Sequence, residues 1–233
     1  MLVNSIDIRK FNAKQLTVDI QPPKIAVNSE WIEGAATPHE WETQVQFGTA
    51  KITILFRGSG RNDVIRKISE FLALLTERAR LRLDGYKGDY IGDLTSSSIE
   101  KTKDRRKYIL TVQFNGYLTD AEVVNKYRGV YGAKFTTLGT RDAPCIVEIT
   151  PQVSLQHLTI SGFGDDDIVL SNLERGKTVI INGQRGTVTQ DGENKFADCD
   201  MWAFPVLKKG AENTIAFSSD KCDIEIRYSP MWI

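Results

Sequence analysis

The chain has 233 residues, 41% hydrophobic and 26% charged, the proportions of an ordinary globular protein, so disordered, collagen-like and coiled-coil classes are excluded. Its 30 basic and 30 acidic residues cancel, and bulk charge therefore points to neither nucleic acid nor membrane. The cancellation hides an asymmetry: residues 1–135 hold 21 Lys+Arg against 16 Asp+Glu, and residues 136–233 hold 9 against 14. Two domains of different character are expected.

The opening "MLVNSIDIRKFNAKQ" lacks the unbroken apolar core of a signal peptide, and no window is long enough to span a bilayer. Synthesis and folding in a cytoplasm, without membrane insertion, are the expectation. "SIDIRKF" and "KQLTVDI" read as short strands, the second ended by Pro22 and Pro23, which cannot continue a ladder. "AKITILF" puts Ile52, Ile54 and Phe56 on one face. In "GSGRNDVIRKISEFLALLTER", Val64, Ile68, Phe71, Leu72 and Leu75 form one stripe, which predicts a long amphipathic helix capped by Ser59 or Asn62. Arg61, Arg66, Lys67 and Glu70 would point outward. "ARLRLDGYKGDYIGDL" alternates Leu81 and Leu83 with Arg80 and Arg82 and turns at Asp84-Gly85. "YILTVQFNGY" sets Leu110, Val112 and Phe114 against Thr111 and Gln113, and "SSSIEKTKDRRK" between these strands reads as a polar, basic loop.

Residues 119–144 carry three glycines and little period, which places a boundary there, with domains at 1–133 and 134–233. Beyond it "CIVEI", "HLTI", "TVII", "TVTQ", "TIAF" and "CDIEIRY" are short strands with turns at Asn182-Gly183, Asp191-Gly192 and Lys209-Gly210. The last strand sends Cys222, Ile224, Ile226 and Tyr228 one way and Asp223, Glu225 and Arg227 the other. The expected fold class is mainly β: an α+β N-terminal domain with one long α-helix, then an all-β sandwich. In "DCDMWAFPVLKKGAENTIAF" the expected core residues are Phe204, Leu207, Ile215 and Phe217. The lysines stay wet at a turn around Gly210, and Trp202 is undecided between core and surface.

Chemistry is sparse. Cys145, Cys199 and Cys222 have no CxxC spacing and an odd count, so they read as small core hydrophobes. His39 and His157 have no partner at metal-ligand spacing, which argues against zinc. Asp165, Asp166 and Asp167, near Gly162 and Gly164, lack the alternating oxygen ligands of a calcium loop and read as a solvated turn. Lys101, Lys103, Arg105, Arg106 and Lys107 could touch phosphate, but Glu100 and Asp104 dilute them and no aromatic is interleaved, so they read as a charged hairpin tip. "GSGRND" lacks the ending of a phosphate-binding loop. Neither histidine lies near a nucleophile-elbow motif. No catalytic, cofactor-binding or metal-binding residue is assigned, binding residues stay unknown, and no enzyme is expected.

Taken in order, the helix preceded by a Gly-Ser turn, "FPVLKKGAENTI" from Phe204 to Ile215, and the terminal "IEIRYSPMW" resemble the distal tail protein (Dit) family of long-tailed, siphovirus-type bacteriophages. The resemblance spans nearly the whole chain. It implies an N-terminal domain related to tail-tube subunits that forms a homohexameric ring, and a C-terminal galectin-like or carbohydrate-binding-module-like sandwich. The ring would sit at the virion's tail tip, joining the tail tube protein to the tail-associated hub protein and carrying receptor-binding proteins. The resemblance brings no cofactor, no membrane insertion and no sequence-specific nucleic acid. The chain is short for the family, without a long C-terminal insertion. The alternative is a carbohydrate-binding module whose Trp202 or Trp232 stacks on host surface sugars, and an enzyme's accessory domain is a distant third.

Overall fold

The computed structural model describes residues 1–232, with the side chains of residues 40, 42 and 43 outside the description. The chain divides into two compact units, Met1–Thr119 and Asp120–Trp232, each with its own apolar core.

The N-terminal unit contains β1 (Leu2–Val3), β2 (Ile6–Asp7), β3 (Ala13–Gln21), β4 (Ile25–Glu30), β5 (His39–Val45), β6 (Gly48–Arg57), α1 (Arg61–Leu72), β7 (Ala79–Arg82), β8 (Asp89–Lys101) and β9 (Lys107–Thr119). Seven of the strands make an antiparallel sheet in the order β2-β1-β7-β8-β9-β6-β3, while β4 and β5 pair with each other. Period-two patterning decides which face is covered. Ile52, Ile54 and Phe56 of β6 and Leu110, Val112 and Phe114 of β9 are all buried, while Lys51, Thr53, Thr111 and Gln113 between them are partly or fully exposed. The helix closes the buried face with Val64, Ile68 and Phe71, whose ring meets Phe56 edge-on at 5.5 Å and Phe11 at 6.0 Å. Burial of a side chain of this size stabilises by roughly 1.5–3 kcal/mol. Close strand approach dictates one glycine here: a Cβ on Gly116 would lie 2.0 Å from the carbonyl oxygen of Ile91.

The long helix expected from the stripe is short. It has 12 residues, about 18 Å, and Ala73–Leu75 continue it as a single 3₁₀ turn. The stripe to Leu75 is real, since Leu75 is buried, but the last turn tightens and Thr76 Oγ1 donates to the carbonyl of Ala73. Neither Ser59 nor Asn62 caps it. Gly60 is the N-cap, and Asp63 reaches back to accept the Ser59 N–H at 2.9 Å. "SIDIRKF" is likewise not a strand throughout. Asn4 and Ser5, with φ of 48° and 69°, reverse the chain after β1. Asp7 then caps a 3₁₀ turn over Ile8–Phe11 by accepting from Arg9 N. Ile8 and Phe11, three apart, fall on one face of that turn and are buried. The basic loop also shrinks, because β8 runs on to Lys101 and leaves residues 102–106 as the turn.

The C-terminal unit begins at Asp120, earlier than a boundary at 133/134, because residues 119–144 are not a linker. They supply β10 (Val123–Arg128) and β11 (Gly132–Thr136), and each pairs with a strand from the end of the chain. Next come β12 (Ala143–Pro151), β13 (Leu155–Ser161), β14 (Ile168–Leu173), β15 (Val179–Asn182), β16 (Thr187–Gln190), β17 (Glu193–Asn194), β18 (Cys199–Asp200), β19 (Val206–Leu207), β20 (Glu212–Phe217) and β21 (Cys222–Tyr228). One sheet runs β10-β21-β12-β15-β16-β17, with β19 on β12, and the other runs β11-β20-β13-β14-β18. Their inner faces share one core, in which Cys145, Val147 and Ile149 of β12 and Cys222, Ile224, Ile226 and Tyr228 of β21 are buried with Leu158, Ile160, Ile215 and Phe217 from the other sheet. Asp191 (φ 51°) and Gly192 (φ 85°) make the two-residue hairpin between β16 and β17.

The "LKKGAEN" turn is held from inside. Asn213 is buried, accepts the Lys208 N–H on its Oδ1 at 3.0 Å and donates from Nδ2 toward Thr137 Oγ1 at 2.5 Å. Gly210 takes φ +55° and leaves Lys208 and Lys209 in solvent. Leu207, Ile215 and Phe217 face the core, with Phe204 partly buried against it. Trp202 does not join them; it is 90% exposed.

Candidate assembly surfaces

The residues singled out for chemistry do not converge. Cys145 is buried on β12, where loss of hydration pushes its thiol far up and Sγ donates to the carbonyl of Pro205 at 3.6 Å. Burial raises Cys199 and Cys222 to about 11, so neither is a ready thiolate. His157 Nδ1 lies 3.1 Å from Ser171 Oγ across β13 and β14. His39 sits at the start of β5, edge-on to Trp41 at 4.8 Å. Asp165, Asp166 and Asp167 are exposed in the turn before β14. Among the described residues no group of three His, Cys, Asp or Glu could hold a metal ion, and no helix is long and apolar enough to cross a membrane.

The surfaces that stand out are of another kind. Where Gln21 of β3 pairs with Thr49 of β6, the chain leaves the sheet through Pro22 and Pro23 and builds an arm from β4 and β5. The two strands are in register from Ile25 opposite Val45 to Glu30 opposite His39, with a bulge between Val27 and Ser29. Neither belongs to the large sheet. Ile25, Val27, Trp31 (64% exposed), Ile32 and Trp41 (59%) are all in solvent. An isolated two-stranded hairpin is marginally stable at best, and a contiguous exposed apolar patch marks an interaction site. Residues 25–47 also hold four Glu and neither Lys nor Arg.

At the other end of the same sheet, β6 finishes at Arg57 opposite Lys107 of β9. Gly58 N donates to the carbonyl of Arg106 there, and α1 starts three residues further on. The turn at 102–106 is ordered from within. Asp104 accepts the Arg106 N–H at 2.9 Å and pairs with Lys107 Nζ at 3.0 Å, and these contacts hold its carboxyl below the usual range. Lys103, Arg105 and Arg106 remain exposed, as a charged hairpin tip would be. Asp63 is likewise held low, first by the Ser59 N–H and then by Lys67. Ile65 on α1 and Ile99 on β8 are exposed as well.

A third feature is the Asp89 cluster. Asp89, 5% exposed, receives Arg80 Nε at 2.7 Å on one oxygen and Arg82 Nε at 2.7 Å on the other. Burial opposes its ionisation, but the two guanidiniums outweigh that and keep the carboxyl low. A cavity of about 180 Å³ opens beside it, lined also by Leu2 and Ser5.

Residues 138–232, nearly the whole C-terminal unit, match the family model described as the siphovirus-type tail component, C-terminal domain. The C-terminal unit thus carries the domain of a siphovirus-type tail component. Its N-terminal unit extends that likeness through the fold. The crystal structure of Dit (gp 19.1) of phage SPP1, described as a paradigm of the hub adsorption apparatus in phages infecting Gram-positive hosts, aligns over 100% of this chain and 98% of its own, with a TM-score of 0.75 at 10% identity. A chain of the phage P2 baseplate in its activated conformation with calcium aligns over 96% of this chain and 92% of its own, with a TM-score of 0.58 at 11% identity. One from the strontium form of the phage p2 baseplate gives 0.56, 95%, 92% and 11%. No curated protein sequence matches. Residues 138–232 therefore carry a tail-component domain, and the rest of the chain shares the fold of these hub and baseplate chains.

Sequence reading named the basic tip and Trp202 but passed over the arm, the most exposed apolar surface of the N-terminal unit. The signal was there. "IAVNSE" and "HEWETQV" carry the β-branched and aromatic residues of short strands on either side of Gly34, which has φ +86°.

Proposed function

We propose that this chain is a distal tail (Dit) protein, the hub of a siphovirus-type tail tip. It assembles as a six-fold ring that joins the tail tube to the tail-associated hub protein and to the host-recognition proteins. The N-terminal unit, in this reading tail-tube-like, supplies the ring contacts, and the C-terminal unit, galectin-like in its two-sheet architecture, faces outward. The observation that carries the reading is the alignment of this whole chain with the SPP1 hub protein, both units included. The exposed arm supports it, since one subunit leaves unpartnered an apolar hairpin that a neighbour would cover. We read no catalytic role into the chain. Mass photometry of the purified protein, followed by negative-stain microscopy, is the test: six-subunit rings are expected, and a monomer at every concentration and salt tried would overturn the assignment.

A second reading has one observation in its favour. Trp202 offers a fully accessible indole with Phe196, itself exposed, packed on Phe204 beside it. Such a ring can stack on a sugar. Glycan-array binding lost on Trp202→Ala, with the ring intact, would make the C-terminal unit a carbohydrate-binding module as well.

A further inference from the structure

Arg80 and Arg82 share one buried carboxylate, and that leaves a charge unmatched. The two residues stand two apart on β7 and so point to the same face of the sheet. β7 runs between β1 and β8, with Leu2 opposite Arg82 on one side and Leu81 opposite Tyr90 on the other, which sets Asp89 beside Arg82. Asp89 receives the Nε of both arginines and the Nη2 of Arg82 as well. The remaining guanidinium N–H groups meet no acceptor among the described residues. Both arginine side chains are more than half exposed, although the carboxylate they hold is covered. A guanidinium is always charged, so two of them over one carboxylate carry a net charge of about +1.

The other acids of this edge are already engaged. Asp7, opposite Leu2 on β2, is held by Arg9, Asp84 by the Met1 amine, and Asp93 by Arg78. The cavity of about 180 Å³ beside the two guanidiniums is lined by Leu2 and Ser5 as well. Ser5 is an unexpected residue there. With Val3 opposite Ile6, Asn4 and Ser5 make a two-residue hairpin turn, and both have left-handed backbone, where glycine is favoured at the second position. Asn4 is tied into the fold: its side chain accepts the backbone N–H of Arg80 and donates to the carbonyl of Leu74. The Ser5 hydroxyl is exposed and has no partner among the described residues. The strained position therefore brings a donor to the edge of the cavity without a local bond to account for it.

We propose that this cleft binds a single carboxylate, presented by an acidic side chain of another protein. The carboxylate takes the outer N–H groups of Arg80 and Arg82 in the planar, two-pronged geometry that guanidinium favours, and a hydrogen bond from Ser5, with its aliphatic stem against Leu2. Asp89 is a positioning residue, which fixes both forks by their Nε atoms and leaves their outer edges for the ligand. One unmatched charge selects a carboxylate, which brings one negative charge, over a phosphate, which brings about two. The site does not depend on the ring reading, since every group in it comes from one copy.

Calorimetric melting of the full-length chain tests it, with the blocked tripeptide Ac-Gly-Glu-Gly-NH2 as probe at fixed ionic strength. The transition of the N-terminal unit should rise saturably with the peptide, because a ligand bound only by the folded state stabilises it. The Gln counterpart, sodium chloride and inorganic phosphate should not reproduce that rise. Arg80→Gln and Arg80→Lys should each weaken binding at least about tenfold, the second because lysine keeps the charge and loses the fork. Ser5→Gly should bind about threefold more weakly, yet melt at or above the wild-type temperature without peptide, since glycine suits the turn. A residue with a purely structural role would not separate those two readouts. Undiminished binding in Arg80→Lys or Ser5→Gly overturns the inference, as does a wild-type protein that ignores the peptide. Chloride or phosphate acting as strongly as the peptide would mean an adventitious ion only, and overturns it too. Acetate binding as tightly as the peptide would make the ligand a free small acid and overturn the protein partner.

Discussion

Two stretches of this chain are rich in large apolar residues, and the fold uses them in opposite ways. Residues 198–217 send Leu207, Ile215 and Phe217 between two sheets, so that each side chain has strands on both sides. The arm at 25–45 carries large apolar side chains too but pairs in a two-stranded sheet of its own, and Ile25, Val27, Trp31 and Trp41 stay wet. The pattern of a strand says which residues share a face. It does not say whether anything covers that face. Within one chain, a covered face is core and an uncovered one is an interface waiting for its other half.

The strongest way to break that contrast is to empty each site in turn. Phe217→Ala should destabilise by about 3–5 kcal/mol, the range for deleting a buried Phe. Chemical denaturation of the full chain, followed by amide-exchange mass spectrometry, should place the loss in 120–232 and leave the N-terminal unit's protection unchanged. Asp89→Asn comes next. It leaves two guanidiniums without a carboxylate and should cost about 1–3 kcal/mol in the N-terminal unit. The pH dependence has a definite sign. The folded carboxyl lies below its unfolded value of about 3.9, so the wild-type contribution is complete above that pH. It fades as pH falls through the folded value. Melting curves of Asp89→Asn and wild type should therefore be fully separated by pH 6 and draw together as the pH falls below about 3.9.

On the arm the expectation inverts. Trp31→Ala with Trp41→Ala should change the melting temperature of the unassembled chain by no more than about 0.5 kcal/mol implies, because neither ring belongs to a core. The same change should abolish ring formation in mass photometry. A drop in subunit stability instead would mean that the arm packs on its own unit. The smallest effect is expected at the basic tip. Arg105→Ala with Arg106→Ala should stay within about 0.5 kcal/mol in urea titration, since both side chains are exposed and the turn is organised by Asp104 and Thr102.

What was legible in the sequence follows the same line. The buried faces of β6, β9 and β21, the apolar stripe of α1 and the inward set around Phe217 could all be read from period alone, because each has one wet and one dry side. The helix length was not, since a 3₁₀ turn keeps the apolar spacing while changing the hydrogen bonds. "SIDIRKF" misled because two left-handed residues, Asn4 and Ser5, are not glycines and gave no turn signal. The pairing of β10 and β11 with strands some hundred residues later left no local trace, which put the boundary too late. The assembly surface was hidden for a different reason. Composition marks an apolar strand as core, and only the absence of a covering layer, a tertiary fact, turns it into a contact.

One consequence of the exposed indoles is practical. The chain has four tryptophans, and Trp31, Trp41, Trp202 and Trp232 are all on the surface. Its intrinsic fluorescence is therefore nearly blind to the two cores and dominated by light from the periphery. On subunit association the emission of Trp31 and Trp41 should move to shorter wavelength while that of Trp202 holds still. If the proposed ring forms, the protein thus carries its own optical gauge of closure, readable in a stopped-flow cell without a label.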